Sequence, residues 1–593
     1  MCGIFGYFDF HKKSLSDDLL LDMAARINHR GPDGYGCYHN PDEGVALGNQ
    51  RLAILDLEHG QQPFYSDDKK IVVVQNGEIF NHIELAEELA SDGFACDTVC
   101  DTEVILRIFE RDGIKGISKL NGMFSIAIYD GRKDELFLVR DRVGEKPLFF
   151  SMQEQKVLFA SEIKSILPAV DNPQVNAQAL NQFLAFNFVP PPLTMFDGVE
   201  HVMPGEWLKI TRQGFERQRW WDLASIKEQE LTENEWIEGF NNILDDAVKI
   251  RLRSDVPFGA FLSGGVDSSS VVGIMSQHLE QKVNTFCIGF DDPKYDESSF
   301  AQAAADRFDT SHLMQKVEPN LLNLWPMATY HSDQPHGDVS FLPTYKVAEL
   351  AAQKVKMVLT GDGADELFAG YDKYKSFFNG KQDALSQNEF QKKYLENITL
   401  FTDEQRDQIF TGAWKNNVGC LNVYSVVRPL FDQAQRMDRL NQALYLDMML
   451  LLPGNNLVKP DRMGMAVSIE NRAPFLDFRM MEFAFSMPGS LKLKNGETKY
   501  LYKKAVTPLI GQDLAYRKKQ MFTVPVGEWF KDELYDFCCE MLLSDRTVNR
   551  GVFNAKYVSH LLEQHVEGLK NNTREIRALI AVELWFREFM DLK

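Results

Sequence analysis

Short apolar runs broken by turn residues fill the first two hundred positions. Ile71-Val72-Val73-Val74 is a β-branched run that predicts a buried strand. Residues 125–129 and 135–139 read as a hairpin pair, because the Asp130-Gly131 step between them is a turn signal. Residues 84–91 carry helical spacing. This half predicts stacked antiparallel sheets with helices.

Pro190-Pro191-Pro192 and Met203-Pro204-Gly205 interrupt that pattern, and polar sequence over 211–219 marks a boundary. We expect domains over 2–216 and 217–593. Beyond Asn234 the chain alternates helix and strand, with apolar strands at 257–262, 283–289 and 355–359. Such alternation predicts a doubly wound parallel sheet with helices on both faces, hence an α/β protein overall. The last two hundred residues are mainly helical and free of repeats.

A chain of 593 residues exceeds one core. The net charge of −21 argues against non-specific binding to nucleic acid or to an anionic membrane. No apolar run is long enough to span a bilayer, and the N-terminus lacks a basic segment followed by an apolar one. The eight cysteines lack framework or Cys-x-x-Cys spacing, so reduced thiols in a cytoplasm are expected.

Four places carry chemistry. Cys2 would become the N-terminus on loss of Met1, joining a thiol nucleophile to a free α-amine of pKa roughly 8. Ser263-Gly264-Gly265-Val266-Asp267-Ser268-Ser269 lies between a strand and a helix. Its glycines allow a tight turn, its hydroxyls suit phosphate oxygens, and the helix N-terminus favours an anion. The alternative is a Gly-Ser turn with an Asp-Ser cap. No Walker lysine follows; Ser-Gly-Gly-x-Asp-Ser is instead the loop of enzymes that split ATP into AMP and pyrophosphate. Thr360-Gly361-Asp362-Gly363-Ala364-Asp365-Glu366 ends another strand and gathers three carboxylates that repel unless offset. A solvated acidic loop is the alternative there. In the first half, Arg51 suits an α-carboxylate, Glu78 and Asp101 an α-ammonium, and Asn76 with the Gly77 N–H an oxyanion.

These residues resemble the glutamine-dependent asparagine synthetase family along essentially the whole chain. Matching stretches include Cys2-Gly3-Ile4, His29-Arg30-Gly31-Pro32-Asp33-Gly34, Asn76-Gly77-Glu78, the residues from Arg140 to Leu148, Val458-Lys459-Pro460-Asp461-Arg462-Met463 and Lys499. The resemblance implies an N-terminal-nucleophile αββα glutaminase domain followed by a pyrophosphatase-loop synthetase domain. It implies Cys2 as nucleophile, Asn76 and Gly77 as oxyanion hole, and Arg51, Asn76, Glu78 and Asp101 as glutamine ligands. It assigns ATP to Leu262, Ser263, Gly264, Gly265, Asp267, Ser268, Ile288 and Gly361, and Mg²⁺ to Asp267 and Asp365. Asp362 would move protons and Lys499 would face pyrophosphate. Ammonia released from glutamine would travel internally to an acyl-adenylate. Implied partners are glutamine, ATP and aspartate, with a homodimer left open.

Several positions depart from the family pattern. Asp362 stands where aspartate-specific members carry Glu; Pro460 and Asn471 replace the commoner Val; Met521 replaces Gly. The acceptor therefore stays open between aspartate and another carboxylate, such as a uronic acid of a surface polysaccharide. A non-catalytic scaffold derived from such an enzyme is the third reading, disfavoured by the intact Cys2, Asp267 and Asp365.

Overall fold

The computed structural model describes residues 2–292, 296–317, 321–380, 382, 384–518 and 526–591. Two six-stranded antiparallel sheets stack in the first half. One runs Val199–His201, Phe149–Met152, Lys156–Ala160, Cys2–Asp9, Val45–Arg51, Gly34–Asn40; the other runs Gly214–Arg219, Glu206–Thr211, Glu135–Arg140, Gly122–Asp130, Ile71–Ile79, Phe64–Tyr65. Period-2 alternation explains the stacking. Ile4 and Phe8 meet Val72 and Val74 between the sheets. Phe5 and Tyr7 point to one outer layer of helices, Ile71 and Val73 to the other. The run at 71–74 is continuously apolar because both its faces are buried. The result is the expected αββα sandwich, and the expected hairpin forms with Asp130 opposite Glu135.

Residue 216 lies inside the strand Gly214–Arg219, which pairs with Glu206–Thr211. This strand is polar because it is a solvent-exposed sheet edge, which disguises it as a linker. We propose the change of domain after Arg219, since Trp220 packs on the first half's sheet–helix core and Trp221 on a core of the second half.

The second half holds a parallel sheet ordered Ser311–Lys316, Asn284–Gly289, Phe258–Phe261, Met357–Leu359, Glu470–Arg472. Met357 and Leu359 enter one flanking core and Val358 the other, as expected for strands covered on both faces. The chain builds outward from Phe258–Phe261 in one direction, then returns to add Met357–Leu359 on the other side. That reversal opens a crevice at the carboxyl ends of these two strands, the standard ligand position in such sheets.

A buried ionic cluster joins the halves. Arg30, fully buried, donates through Nη1 to Glu162 Oε1 (2.8 Å) and through both terminal nitrogens to Asp461 (2.9 and 3.0 Å). Arg462 reaches back to Glu162 at 2.7 Å, and Lys164 meets Asp333 at 2.8 Å. Burial alone would raise the Asp461 pKa, but Arg30 and then Lys146 hold it below the usual carboxylate range. Arg30→Ala should strip the buried Asp461 of both hydrogen bonds from Arg30, leaving Lys146 at 3.7 Å, and remove about 3–5 kcal/mol, measurable as lost thermal and urea stability. Because the Asp461 pKa is depressed, its contribution is complete above the unfolded value of about 4 and disappears as pH falls through the folded one. A melting curve of Arg30→Ala that matches the parent at pH 7 would refute this role.

Candidate functional site

Strand register builds the first site. Cys2 lies opposite Arg51 in one sheet, while Asn76, Gly77 and Glu78 end a strand of the other. The Cys2 nitrogen donates to Asn76 Oδ1 at 3.1 Å, bridging the sheets, and Asn76 Nδ2 donates to Ser161 Oγ at 3.3 Å. Gly77 has φ +150°, and a Cβ there would meet the Met123 carbonyl oxygen at 2.0 Å, so only glycine fits. Arg51 donates to the carbonyls of Leu55, Asp56 and Leu57, fixing the loop after it. Asp101 Oδ2 accepts from Gln75 Nε2 (2.9 Å) and the Ile79 N–H (2.8 Å), which ties the start of helix Asp101–Asp112 to the strand carrying Glu78. The structure thus gathers Cys2, Arg51, Asn76, Gly77, Glu78 and Asp101 around one buried point.

Two groups there stand out electrostatically. Burial pushes the Cys2 thiol up, so it is protonated at neutral pH and attack needs a base. Burial, then Asp101 and Glu470, push Glu78 well above the usual carboxylate range, with Arg472 opposing. Glu78 Oε2 has no hydrogen-bond partner among the described residues, while Oε1 lies 3.7 Å from Arg472 Nη2 of the other half. A ligand ammonium would satisfy that oxygen.

The second site fills the crevice of the parallel sheet, a cleft of about 1610 Å³. Ser263 and Ser268 hydroxyls lie 3.1 Å apart, and Ser263 Oγ accepts from the Gly265 N–H at 3.3 Å, closing the loop before helix Val266–His278. Gly264 turns with φ +68°. Leu262, Asp267, Ile288 and Gly361 line the cleft. Lys499 Nζ sits 2.6 Å from Asp267 Oδ1 and 2.7 Å from Asp365 Oδ1, so one ammonium offsets both loops. Burial alone would lower the Lys499 pKa; these two carboxylates raise it instead. Asp362 accepts from Thr360 Oγ1 at 2.7 Å, and burial raises its pKa, with Lys459 opposing and Asp267 and Asp365 adding to the rise. Two converging carboxylates are oxygen donors of the kind a hard cation such as Mg²⁺ takes.

Two departures from the family pattern touch each other: Asn471 Nδ2 donates to the Pro460 carbonyl at 2.7 Å. They form one local exchange at the end of the sheet. The stretch 519–525, including Met521, lies outside the described residues. Sequence reading did not single out Gln62, whose Nε2 is 4.0 Å from Cys2 Sγ, or Asn49, which donates to Gln62 Oε1 at 3.2 Å. No local signal marks them; Asn49 comes to Cys2 by strand pairing within one sheet, and Gln62 by the segment that leads into strand Phe64–Tyr65.

The asparagine synthase family matches residues 239–587, and a glutamine amidotransferase domain matches 1–221. Asparagine synthetase [glutamine-hydrolyzing] 1 of Bacillus subtilis is 32% identical over 99% of this chain and 96% of its own. A putative asparagine synthetase [glutamine-hydrolyzing] 2 of Methanocaldococcus jannaschii is 37% identical over 63% of this chain and 76% of its own. Amidase chyE of Penicillium rubens is 29% identical, covering 89% of each chain. The chain belongs to the asparagine synthase family and is a glutamine-hydrolysing ligase.

A Cβ at Gly361 would lie 2.6 Å from Asp267 Cβ. Gly361→Ala should therefore wedge the two loops apart and cut ATP-dependent synthesis at least about tenfold, leaving glutaminase turnover intact; an undisturbed synthesis rate would refute the contact. Ionised Glu78 should be the form that holds a substrate ammonium. Its raised pKa predicts that the glutamine KM falls as pH rises from 5.5 to 8, and that Glu78→Gln raises KM and flattens the profile. A parallel profile in that variant would exclude Glu78 as the cause.

Proposed function

We propose that this member of the asparagine synthase family converts aspartate, glutamine and ATP to asparagine, glutamate, AMP and pyrophosphate. The observation that carries the reading is the meeting of the Ser263–Ser268 and Gly361–Asp365 loops on Lys499, in a chain that also buries Cys2 against Asn76. Near one-third identity to a glutamine-hydrolysing asparagine synthetase along nearly the full chain supports aspartate as acceptor.

After removal of Met1, the Cys2 α-amine takes the thiol proton and sulfur attacks the glutamine carboxamide carbon. The C–S bond forms, the C–N bond breaks, and the proton leaves on ammonia; water then releases glutamate from the thioester. Asn76 Nδ2 and the Gly77 N–H stabilise the oxyanion. The bond from Asn76 Nδ2 to Ser161, 3.3 Å long, is weak enough to exchange for it. Glu78 and Asp101 hold the α-ammonium and Arg51 the α-carboxylate.

In the cleft an acceptor carboxylate oxygen attacks the α-phosphorus and pyrophosphate departs toward Lys499. Leu262 and Ile288 border the nucleoside, and the Ser263, Gly264, Gly265, Ser268 and Gly361 loops take the phosphates. Asp267 and Asp365 would hold Mg²⁺, which supplies charge neutralisation to pyrophosphate when bound. Ammonia passing inside the protein attacks the acyl carbon, Asp362 accepts its surplus proton, and AMP leaves. We place the reaction in the cytoplasm; no helix among the described residues is long and apolar enough to cross a membrane.

Cys2→Ala should abolish glutamine-dependent asparagine while ammonia still supports it, with AMP the nucleotide product. With no nitrogen source, aspartate should drive exchange of labelled pyrophosphate into ATP, and Asp267→Asn should suppress that exchange. Exchange with glucuronate and none with aspartate would overturn the acceptor; ADP and phosphate as stoichiometric products would overturn the adenylate.

A further inference from the structure

Charged groups in the cleft continue past Asp362. Lys459 Nζ, close enough to Asp362 to lower its pKa, donates to Ser340 Oγ at 3.1 Å and lies 3.9 Å from Asp338 Oδ2. Arg577, on the helix Thr573–Phe589, lines the same cleft as Asp338. Asp338 and Arg577 each favour the other's charged form, which places them within electrostatic reach. Both line the cleft. Arg577 Nε is buried and has no hydrogen-bond partner among the described residues, a costly state for a guanidinium unless a ligand completes it.

The helix is held firmly enough to aim that group. Trp585, fully buried, donates Nε1 to the Asp333 carbonyl at 2.9 Å and packs edge-on against Phe196 of the glutaminase half at 5.1 Å. Asn572 fixes the preceding turn by donating Nδ2 to the Leu561 carbonyl at 2.8 Å.

We propose that Arg577 and Asp338 determine acceptor specificity, Arg577 binding a second carboxylate of the acceptor and Asp338 its ammonium while Lys459 and Asp362 flank the carboxylate being activated. The order of charges along the cleft matches an α-amino dicarboxylic acid. A uronic acid brings neither the ammonium nor the second carboxylate. This inference rests on the synthetase reading above and names the residues that would read the acceptor.

The test compares three acceptors with ammonia as nitrogen source in full-length protein. Aspartate carries all groups, 3-aminopropanoate lacks the second carboxylate, and succinate lacks the ammonium. The parent should prefer aspartate to either analogue by at least about tenfold in kcat/KM, the scale of one hydrogen bond to a charged group. Arg577→Ala should lose that factor with aspartate and little with 3-aminopropanoate, so its preference collapses. Arg577→Lys should restore part of it, and Asp338→Asn should erase the preference over succinate. The KM for ATP and glutaminase turnover should move less than about twofold, which separates recognition from misfolding. Retention of the full preference over 3-aminopropanoate in Arg577→Ala overturns the inference while the asparagine reading stands. A parent protein inert toward aspartate but active on glucuronate overturns both.

Discussion

Burial of Arg30 between Glu162 and Asp461 is the constraint on which the rest of the molecule depends. Its partners lie in opposite halves, so the glutaminase and the synthetase cannot separate without exposing or stranding three charges. The same guanidinium donates Nε to the Cys2 carbonyl at 3.1 Å. The residue that locks the halves therefore also positions the backbone of Cys2, the proposed nucleophile. An apolar seam could hold two domains with more net stability, because buried ions give back much of their attraction in lost hydration. Here the directional bonds fix one relative placement of the halves, as the proposed internal passage of ammonia would require.

Two short elements carry that placement into the cleft. Helix Val458–Met465 turns Lys459 toward Ser340 and Asp338, while Asp461 and Arg462, two and three residues on, face the glutaminase half. Strand Glu470–Arg472 does the same at the sheet edge. The Arg472 carbonyl accepts from the Thr360 N–H at 2.9 Å at the base of the acidic loop, and its guanidinium approaches Glu78 beside Cys2. Neither element exceeds eight residues, so a shift at one site has little slack before it reaches the other. The exchange of Pro460 and Asn471 joins these two elements, and it bears on their mutual packing more directly than on the acceptor.

Much of this was legible in the sequence, for reasons that differ by element. The run at 71–74, the hairpin after it and the strands feeding both ligand loops are fixed by local pattern. Motif residues were legible because their chemistry needs a particular type at a particular spacing: Gly264 for its turn, Gly361 for its contact with Asp267. The strand over 214–219 was not, because an edge exposed to water reads like a linker. Gln62, Asn49 and Arg577 were invisible for another reason. Each is an ordinary residue in an ordinary context, and only tertiary packing delivers it to a site. Glu162 and Asp461, 299 positions apart, show the limit plainly: no local pattern pairs them.

The net charge of −21 misleads if carried from the whole surface to the cleft. Lys459, Lys499, Lys503, Arg517, Arg574 and Arg577 all line it, so an acidic protein still brings cationic side chains to the cleft where a triphosphate would enter. Asp267, Asp362 and Asp365 line the same cleft among those cations. Lys499 balances two of them internally, keeping like charges together on converging loops. An entering nucleotide with its cation would replace that internal balance by an external one. The cation would take the carboxylates, and the freed ammonium would turn to the phosphates. Lys499 itself sits in the left-handed region at φ +54°, at the start of helix Tyr500–Ile510, a backbone state that a side chain tolerates only when its surroundings hold it. The two ion pairs already hold the ammonium on both loops, so such an exchange would need only one side chain to move.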